Sequence, residues 1–181
     1  MIFELVAADK LLNQKNMIMA TLTNQASGVQ NGETLNGLFI GGLKNMYWCE
    51  LRLATSLSNM APGAASDDLK NAIEPYLEQA ENHADRLRMA FLYMGEATKA
   101  AKCGPMDFII KEAEALMNEM QAGTGRDLAL LSAVQEAEHY KIANYNTMLT
   151  LAEALGYAET AELLNASLHE ELEGGLLAMM N

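Results

Sequence analysis

The sequence predicts an all-α fold with one bundle of helices. Apolar residues recur at spacings of three and four along the chain after Thr34, which is the period of an amphipathic helix. The chain has only 3 prolines and almost no runs that alternate β-branched and polar residues, so little of it fits a strand. Because 50% of the 181 residues are hydrophobic, a single domain with one sizeable core is expected.

Helix start and stop signals divide this region into five predicted helices. Thr34 precedes the first helix, and the segment APGAAS, with Ser66 as the capping residue, precedes the second. The segments KCGP, AGTGRD and LGYAET precede the third, fourth and fifth. Glycine, proline and small polar residues of this kind end one helix or cap the next. The predicted helices span residues 35–61, 67–95, 106–122, 126–155 and 159–178.

Residues 1–33 differ from the rest of the chain. They are polar, rich in Asn and Gln, and show no sustained apolar seam. We therefore expect a tail or a weakly packed extension, which could serve as an oligomer contact. Residues 34–181 are expected to form the helical bundle.

Charge and hydropathy exclude several classes of protein. The net charge of −12, with no clustering of the 12 lysines and arginines, argues against a nucleic-acid partner, because phosphate binding requires a basic surface. No stretch approaches the roughly 18 uncharged apolar residues of a membrane span. Glu4 and Asp9 lie where a signal peptide would have lysines and an unbroken apolar run, so a cytoplasmic protein is expected. The two cysteines, Cys49 and Cys103, lack metal-ligand spacing and are interpreted as core thiols.

The inward-facing seams of the four long helices carry side chains that can bind metals. Glu50 is the only polar member of the first seam, and His83 interrupts an otherwise apolar second seam. Glu138 lies in the seam of the fourth helix and Glu171 in that of the fifth. Singly, each has an ordinary structural explanation, such as a core histidine paired with a tyrosine. Together, three buried carboxylates would cost several kcal/mol apiece without compensation.

A bound cation would compensate these carboxylates. Inward-facing glutamates and Glu-x-x-His pairs build the metal centres of di-iron and di-manganese bundles. The third helix adds Glu112 beside an apolar line that contains Ile109 and Leu116. Not all of the candidates can reach one site, because they come from five helices. The candidate metal ligands are Glu50, His83, Glu112, Glu138 and Glu171.

The same residues resemble signatures of the YciE/YciF family of ferritin-like proteins. The resemblance covers about four fifths of the chain, from Thr34 to the end, and the block EHYKIANY is its most specific part. It implies a ferritin-like four-helix bundle with an additional helix, a stress-associated role and metal binding, but no firmly shared reaction. The matching segments are Tyr47-Trp-Cys-Glu50, Arg86-Leu87, Cys103-Gly-Pro-Met106, QEAEHYKIANY from Gln135 to Tyr145, and Leu168-His-Glu-Glu171.

Several positions depart from the family pattern and remove expected oxygen ligands. The family glutamates of the second and fourth helices are replaced here by Gln79 and Lys141. A Glu-x-x-His pair ending at His83 would need a glutamate where the chain has Ala80, and Gly174, three residues after Glu171, cannot ligate.

The position of Lys141 along the bundle gives Glu171 two candidate partners. Lys141 lies 15 residues before a turn near Gly156, and Glu171 lies 15 residues after it. At about 1.5 Å per residue the two side chains should be level in an antiparallel pair of helices. The partner of Glu171 is therefore either a metal shared with Glu50 and Glu138, or the ammonium group of Lys141.

Two functional hypotheses follow from these residues. The first is a ferritin-like, stress-associated protein with an iron or manganese site in the bundle core, either a di-metal enzyme or a degenerate site that is purified empty. The second is a non-enzymatic helical protein with a vestigial site, acting through self-association as a homo-oligomer, with a dimer expected. The residues leave open whether the protein is an enzyme.

Overall fold

The computed structural model describes residues 29–174 of the chain. It contains five α-helices within this range. They are α1 (Val29–Met60), α2 (Asp67–Tyr93), α3 (Gly104–Glu119), α4 (Thr124–Leu155) and α5 (Ala158–Glu173), and a 3-10 turn at Ala61–Gly63 follows α1.

Helices α1, α2, α4 and α5 form a four-helix bundle, and α3 packs against it and adds Met106, Ile110 and Ala113 to the buried core. Helix α1 packs against α2 and α4, while α5 packs against the same two helices from the opposite side. Helix α3 packs on the outer faces of α1 and α4. The predicted all-α class, a four-helix bundle with an additional helix, is confirmed, and the additional helix is α3.

The predicted helix boundaries are correct to within a few residues, with two larger errors. Helix α1 begins at Val29, six residues before its predicted start at residue 35. The error arose because the polar, Asn- and Gln-rich composition before Thr34 hid the first turns of the helix. Helix α3 begins at Gly104 because Pro105 fits the first turn of a helix, where no backbone N–H donor is needed. Helix α5 ends at Glu173, five residues before its predicted end at residue 178, because Gly174 is its C-cap residue. Residues 1–28 of the predicted tail lie outside the described range.

Hydrogen bonds and a glycine turn fix the connections between helices. The Ser66 hydroxyl accepts a hydrogen bond from the Leu69 amide at 3.0 Å, which caps α2 as predicted. The Asp127 carboxylate at the start of α4 accepts hydrogen bonds from the amides of Ala65 and Ser66, both at 2.8 Å. Gly156 ends α4 with φ of 79°, a left-handed conformation that glycine adopts without strain. The hairpin of α4 and α5 therefore turns where the sequence predicted it.

The core between the helices is mostly apolar, with ten buried polar or charged residues among the described ones. Its largest fully buried side chains include Tyr76, Tyr145, Phe39 and Phe91 and also one charged residue, Lys141. None of the helices in the described part of the chain combines the length and hydrophobicity needed to cross a bilayer.

Candidate metal centre

The four seam residues predicted to face the core are all buried. Glu50 and His83 are 0% exposed, Glu171 is 3% exposed and Glu138 is 6% exposed. They lie on α1, α2, α5 and α4 respectively. The prediction that these side chains share one core is confirmed. Their burial follows from the apolar heptads that surround them, since packing those heptads carries the polar members inward.

Three of these residues come close enough to form a possible metal-binding group. Glu50, His83 and Glu171 each offer one ligand atom, and these atoms lie within 4.8 Å of one another. The His83 Nδ1 atom lies 3.2 Å from Oε1 of Glu171 and 3.4 Å from Oε1 of Glu50. The carboxylates of two different helices therefore converge on one nitrogen of the imidazole.

Lys141 completes this group from α4. Its Nζ atom lies 2.6 Å from Oε1 of Glu171 and 3.0 Å from Oε2 of Glu50, and the residue is 0% exposed. Burial disfavours the charged ammonium, but the adjacent Glu50 and Glu171 carboxylates raise the pKa of Lys141 well above its usual value. The lysine is thus held charged between the two carboxylates. We call Glu50, His83, Lys141 and Glu171 the buried ionic cluster.

Polar neighbours surround the buried ionic cluster. The Tyr145 hydroxyl donates a hydrogen bond to Oε1 of Glu50 at 2.7 Å. The Gln79 side-chain amide donates one to Oε1 of Glu171 at 3.2 Å. The Lys141 ammonium lies 5.4 Å from the ring centroid of Tyr76, within range of a cation–π interaction. Within the described residues, the Tyr76 hydroxyl and Oε2 of Glu171 have no hydrogen-bond partner.

A second ion pair connects the cluster to the surface. The His83 Nε2 atom lies 2.9 Å from Oε2 of Glu170, and Arg86 donates a hydrogen bond to the same oxygen at 2.7 Å. Burial would lower the pKa of His83, but the Glu171 and Glu50 carboxylates outweigh it and raise the pKa to about 8. The Arg86 guanidinium lowers the pKa of Glu170. His83 is therefore mostly an imidazolium at neutral pH, with carboxylates at both ring nitrogens.

A polar groove of about 380 Å³ lies outside this second pair. Gln79 and Glu170 line the groove and also contact the buried ionic cluster, so they form its outer wall. The other lining residues are Pro75, Glu78, Asn82, Glu173 and Gly174.

The structure separates the remaining sequence candidates. Glu112 is exposed on α3, so the expectation that it reaches the core is wrong, because α3 packs outside the four-helix core. Glu138 is buried one turn before Lys141 on α4, and its charge acts on Tyr76. Sequence reasoning missed Glu170 and Arg86, although Arg86-Leu87 lies in one of the matching segments.

The donor set fits one small cation in type but not an intact two-metal centre. Two glutamates and one histidine are ordinary ligands for a transition metal. An intact carboxylate centre uses about four carboxylates and two histidines around two ions. Here the Lys141 ammonium contacts both carboxylates of the group, so a metal ion would have to displace it or bind beside a positive charge.

Comparisons with known proteins identify the family and the fold of the chain. A family model described as "Domain of unknown function (DUF892)" matches residues 34–176. Protein YciF of Escherichia coli (strain K12) is 34% identical over 142 residues, which cover 78% of this chain and 86% of that protein. The crystal structure of the E. coli stress protein YciF matches with a TM-score of 0.74 and 31% identity, covering 81% of this chain and 91% of that one. The structure of YcfI, a putative structural protein from Rhodopseudomonas palustris, matches with a TM-score of 0.73 and 30% identity, covering 76% and 88% respectively.

Proposed function

The chain belongs to the DUF892 family, and on that basis we propose that it is a ferritin-like, stress-associated protein whose metal site is degenerate. In this proposal the Lys141 ammonium takes the place of a metal cation in the bundle core. The observation that carries it is the pair of contacts from Lys141 Nζ to Glu171 and Glu50, at 2.6 and 3.0 Å, in a residue with no exposure. Iron or manganese then binds weakly, and the protein can be purified without either.

Charge balance supports this proposal. Within the buried ionic cluster, Glu50 and Glu171 supply two negative charges, and Lys141 and protonated His83 supply two positive charges; the Arg86–Glu170 pair beside it is also neutral. A divalent ion added to this set would leave an excess of positive charge in a medium of low dielectric constant, even with the nearby Glu138 carboxylate counted. Metal binding therefore requires the loss of protons or the outward movement of Lys141.

The missing ligands support it as well. Ala80 is fully buried where a glutamate would complete the Glu-x-x-His pair with His83, and Gly174 caps α5 where a second ligand would follow Glu171. Gln79 offers a neutral amide at 3.2 Å from Glu171, which contributes no negative charge. Too few anionic oxygens remain for two tightly held ions.

Metal analysis of the purified protein and of Lys141→Glu tests this proposal. The unmodified protein should contain well under one transition-metal ion per chain. Lys141→Glu should bind Mn²⁺ or Fe²⁺ at least tenfold more tightly in a calorimetric titration, because it removes a positive charge and adds an oxygen ligand. Lys70→Glu is the control, since Lys70 is exposed and pairs only weakly with Asp67 at 3.5 Å. The proposal would be contradicted by about two tightly held metal ions in the unmodified protein. It would also be contradicted if Lys141→Glu and Lys70→Glu bound the metal with equal affinity.

Self-association is a second candidate function, and an exposed apolar strip on α2 favours it. Met89, Leu92 and Tyr93 follow one another at helical spacing and are 41%, 67% and 55% exposed. Such a strip fits contact with a second copy of the chain, consistent with a structural role. Light scattering should show a dimer that Leu92→Asp converts to a monomer, while Glu136→Asp on α4 leaves the mass unchanged. A monomeric unmodified protein would refute this candidate.

A further inference from the structure

Helix α5 is too short to accompany α2 and α4 along their whole length. Glu171 lies level with Gln79 of α2 and Lys141 of α4, because its carboxylate contacts both side chains, at 3.2 and 2.6 Å. Helix α5 ends two residues later. At about 1.5 Å per residue, α2 continues for roughly 18 Å beyond this level to its first residue, and α4 for roughly 25 Å. Within residues 29–174, no helix lies beside these turns in the corner of the bundle that α5 occupies higher up.

A groove of about 180 Å³ lies between the first turns of α2 and α4. The 3-10 turn after α1 closes the far side of these turns, since Arg126 of α4 donates a hydrogen bond to the Gly63 carbonyl, so the groove opens toward the corner of α5. Its apolar walls are Leu69, which is buried, Leu131, which is half-buried, and Leu128, which is 59% exposed. The other lining residues are Ser66, Thr124 and Asp127.

The chain leaves α5 within reach of this groove. By the same count, Gly174 lies level with Glu138 of α4, which is roughly 10 Å along the bundle from Leu131 and roughly 15 Å from Leu128. Residues 175–181, which lie outside the described range, have the sequence GLLAMMN, and a segment of this length spans up to about 23 Å when extended. The segment carries four large apolar side chains, at Leu176, Leu177, Met179 and Met180.

We propose that residues 175–181 dock in the groove between the first turns of α2 and α4 and complete the fourth corner of the bundle. Their leucine and methionine side chains cover Leu128 and Leu131, which removes apolar surface on both sides from water. The same chain is the occupant because its segment starts beside the groove, so docking is intramolecular and favoured by a high effective concentration. The segment also passes Gln79, which hydrogen-bonds Glu171 and lines the polar groove together with Gly174, and so covers that side of the buried ionic cluster.

Disulfide trapping in the full-length protein tests this docking. Leu128→Cys combined with Met180→Cys places one thiol in the groove and one in the segment. Glu136→Cys combined with Met180→Cys is the matched control, because Glu136 is exposed on the same helix but does not line the groove. After mild oxidation, a link in either variant joins tryptic peptides 127–141 and 142–181, while the native cysteines lie in other peptides. The linked fraction should be about tenfold higher with Leu128→Cys than with Glu136→Cys, because docking raises the effective concentration at the groove alone.

A stability measurement provides an independent readout that requires no new cysteine. Leu177→Asp combined with Met180→Asp should lower the melting temperature by several degrees, because the charged side chains cannot be buried in the groove. Leu128→Asp should have a similar effect from the other side of the contact. Adding the two segment substitutions to Leu128→Asp should then lower the melting temperature little further, since substitutions that remove the same contact are not additive.

Three outcomes would overturn the proposal. The first is an equal linked fraction in the two cysteine variants. The second is a link that joins two chains, seen as a dimer on a non-reducing gel, which would mean that a second copy fills the groove. The third is an unchanged melting temperature when Leu177 and Met180 are replaced by aspartate. None of these results depends on metal content, so they leave the proposed degenerate metal site untouched.

Discussion

Replacing Lys141 by methionine should destabilise the protein strongly, because it leaves two carboxylates in the core without their main counter-charge. The ammonium contacts lie at 2.6 and 3.0 Å. At an effective dielectric constant of about 20, each contact corresponds to an attraction of roughly 6 kcal/mol. Most of this attraction offsets the cost of removing the three charges from water, but breaking a buried pair still costs about 3–5 kcal/mol.

Urea unfolding at neutral pH, with a chelator present, measures this loss. We expect the free energy of unfolding of Lys141→Met to fall by about 3–5 kcal/mol. Lys70→Met is the matched control, since its ion pair is exposed and exposed pairs contribute about 1 kcal/mol or less. Mn²⁺ added in place of the chelator should restore part of the stability of Lys141→Met, because a cation that binds only the folded state stabilises it by mass action.

The refuting result is a Lys141→Met variant that unfolds within about 1 kcal/mol of Lys70→Met. That outcome would mean that the Glu50 and Glu171 carboxylates take up protons at no cost, or that the ammonium does not lie between them. Either case removes the physical basis for a lysine in the place of a metal.

The remaining predictions concern pH dependence, a connecting loop and the N-terminal region. The pKa of His83 is about 8 in the folded protein, against an ordinary value of 6.5. Protonation of His83 therefore contributes about 2 kcal/mol to the free energy of unfolding below pH 6.5, and this contribution is lost as the pH rises through 8. His83→Gln should flatten this slope in urea titrations, and an unchanged slope would contradict the assignment. Asp127→Ala should lower the free energy of unfolding by about 2–3 kcal/mol through the loss of two charged hydrogen bonds to backbone amides, whereas Glu136→Ala, exposed on the same helix, should change it little. Deleting residues 1–18, which lie outside the described range, should leave the melting temperature nearly unchanged in calorimetry, and a large drop would show that they belong to the core.

Most of the buried ionic cluster could be predicted from the sequence, because helical periodicity determines which side chains face inward. Glu50, His83 and Glu171 interrupt apolar seams, and counting residues from the turn near Gly156 placed Lys141 level with Glu171. Both inferences need only the period and rise of a helix. Apart from the antiparallel pairing of consecutive helices, they required no knowledge of how the helices are arranged around the core.

Other parts of the site depend on how the helices are arranged around the core, which helical periodicity does not determine. Glu112 occupies an amphipathic helix like the others, but α3 lies outside the four-helix core, so its polar face meets solvent. Glu170 neighbours a seam residue and reaches His83 because α2 and α5 pack side by side. The contact depends on the rotation of each helix and on the length of two flexible side chains, and neither quantity can be obtained from one sequence.

The origin of the ionic cluster in four separate helices has a consequence for folding. Glu50, His83, Lys141 and Glu171 each come from a different helix of the bundle, so their charges balance only when all four helices have docked in register. An intermediate that lacks one helix, or that has slipped by a turn, buries an uncompensated charge and is penalised accordingly. The cluster therefore disfavours partly assembled and misregistered forms more than the native one, and makes assembly of the bundle more nearly all-or-none.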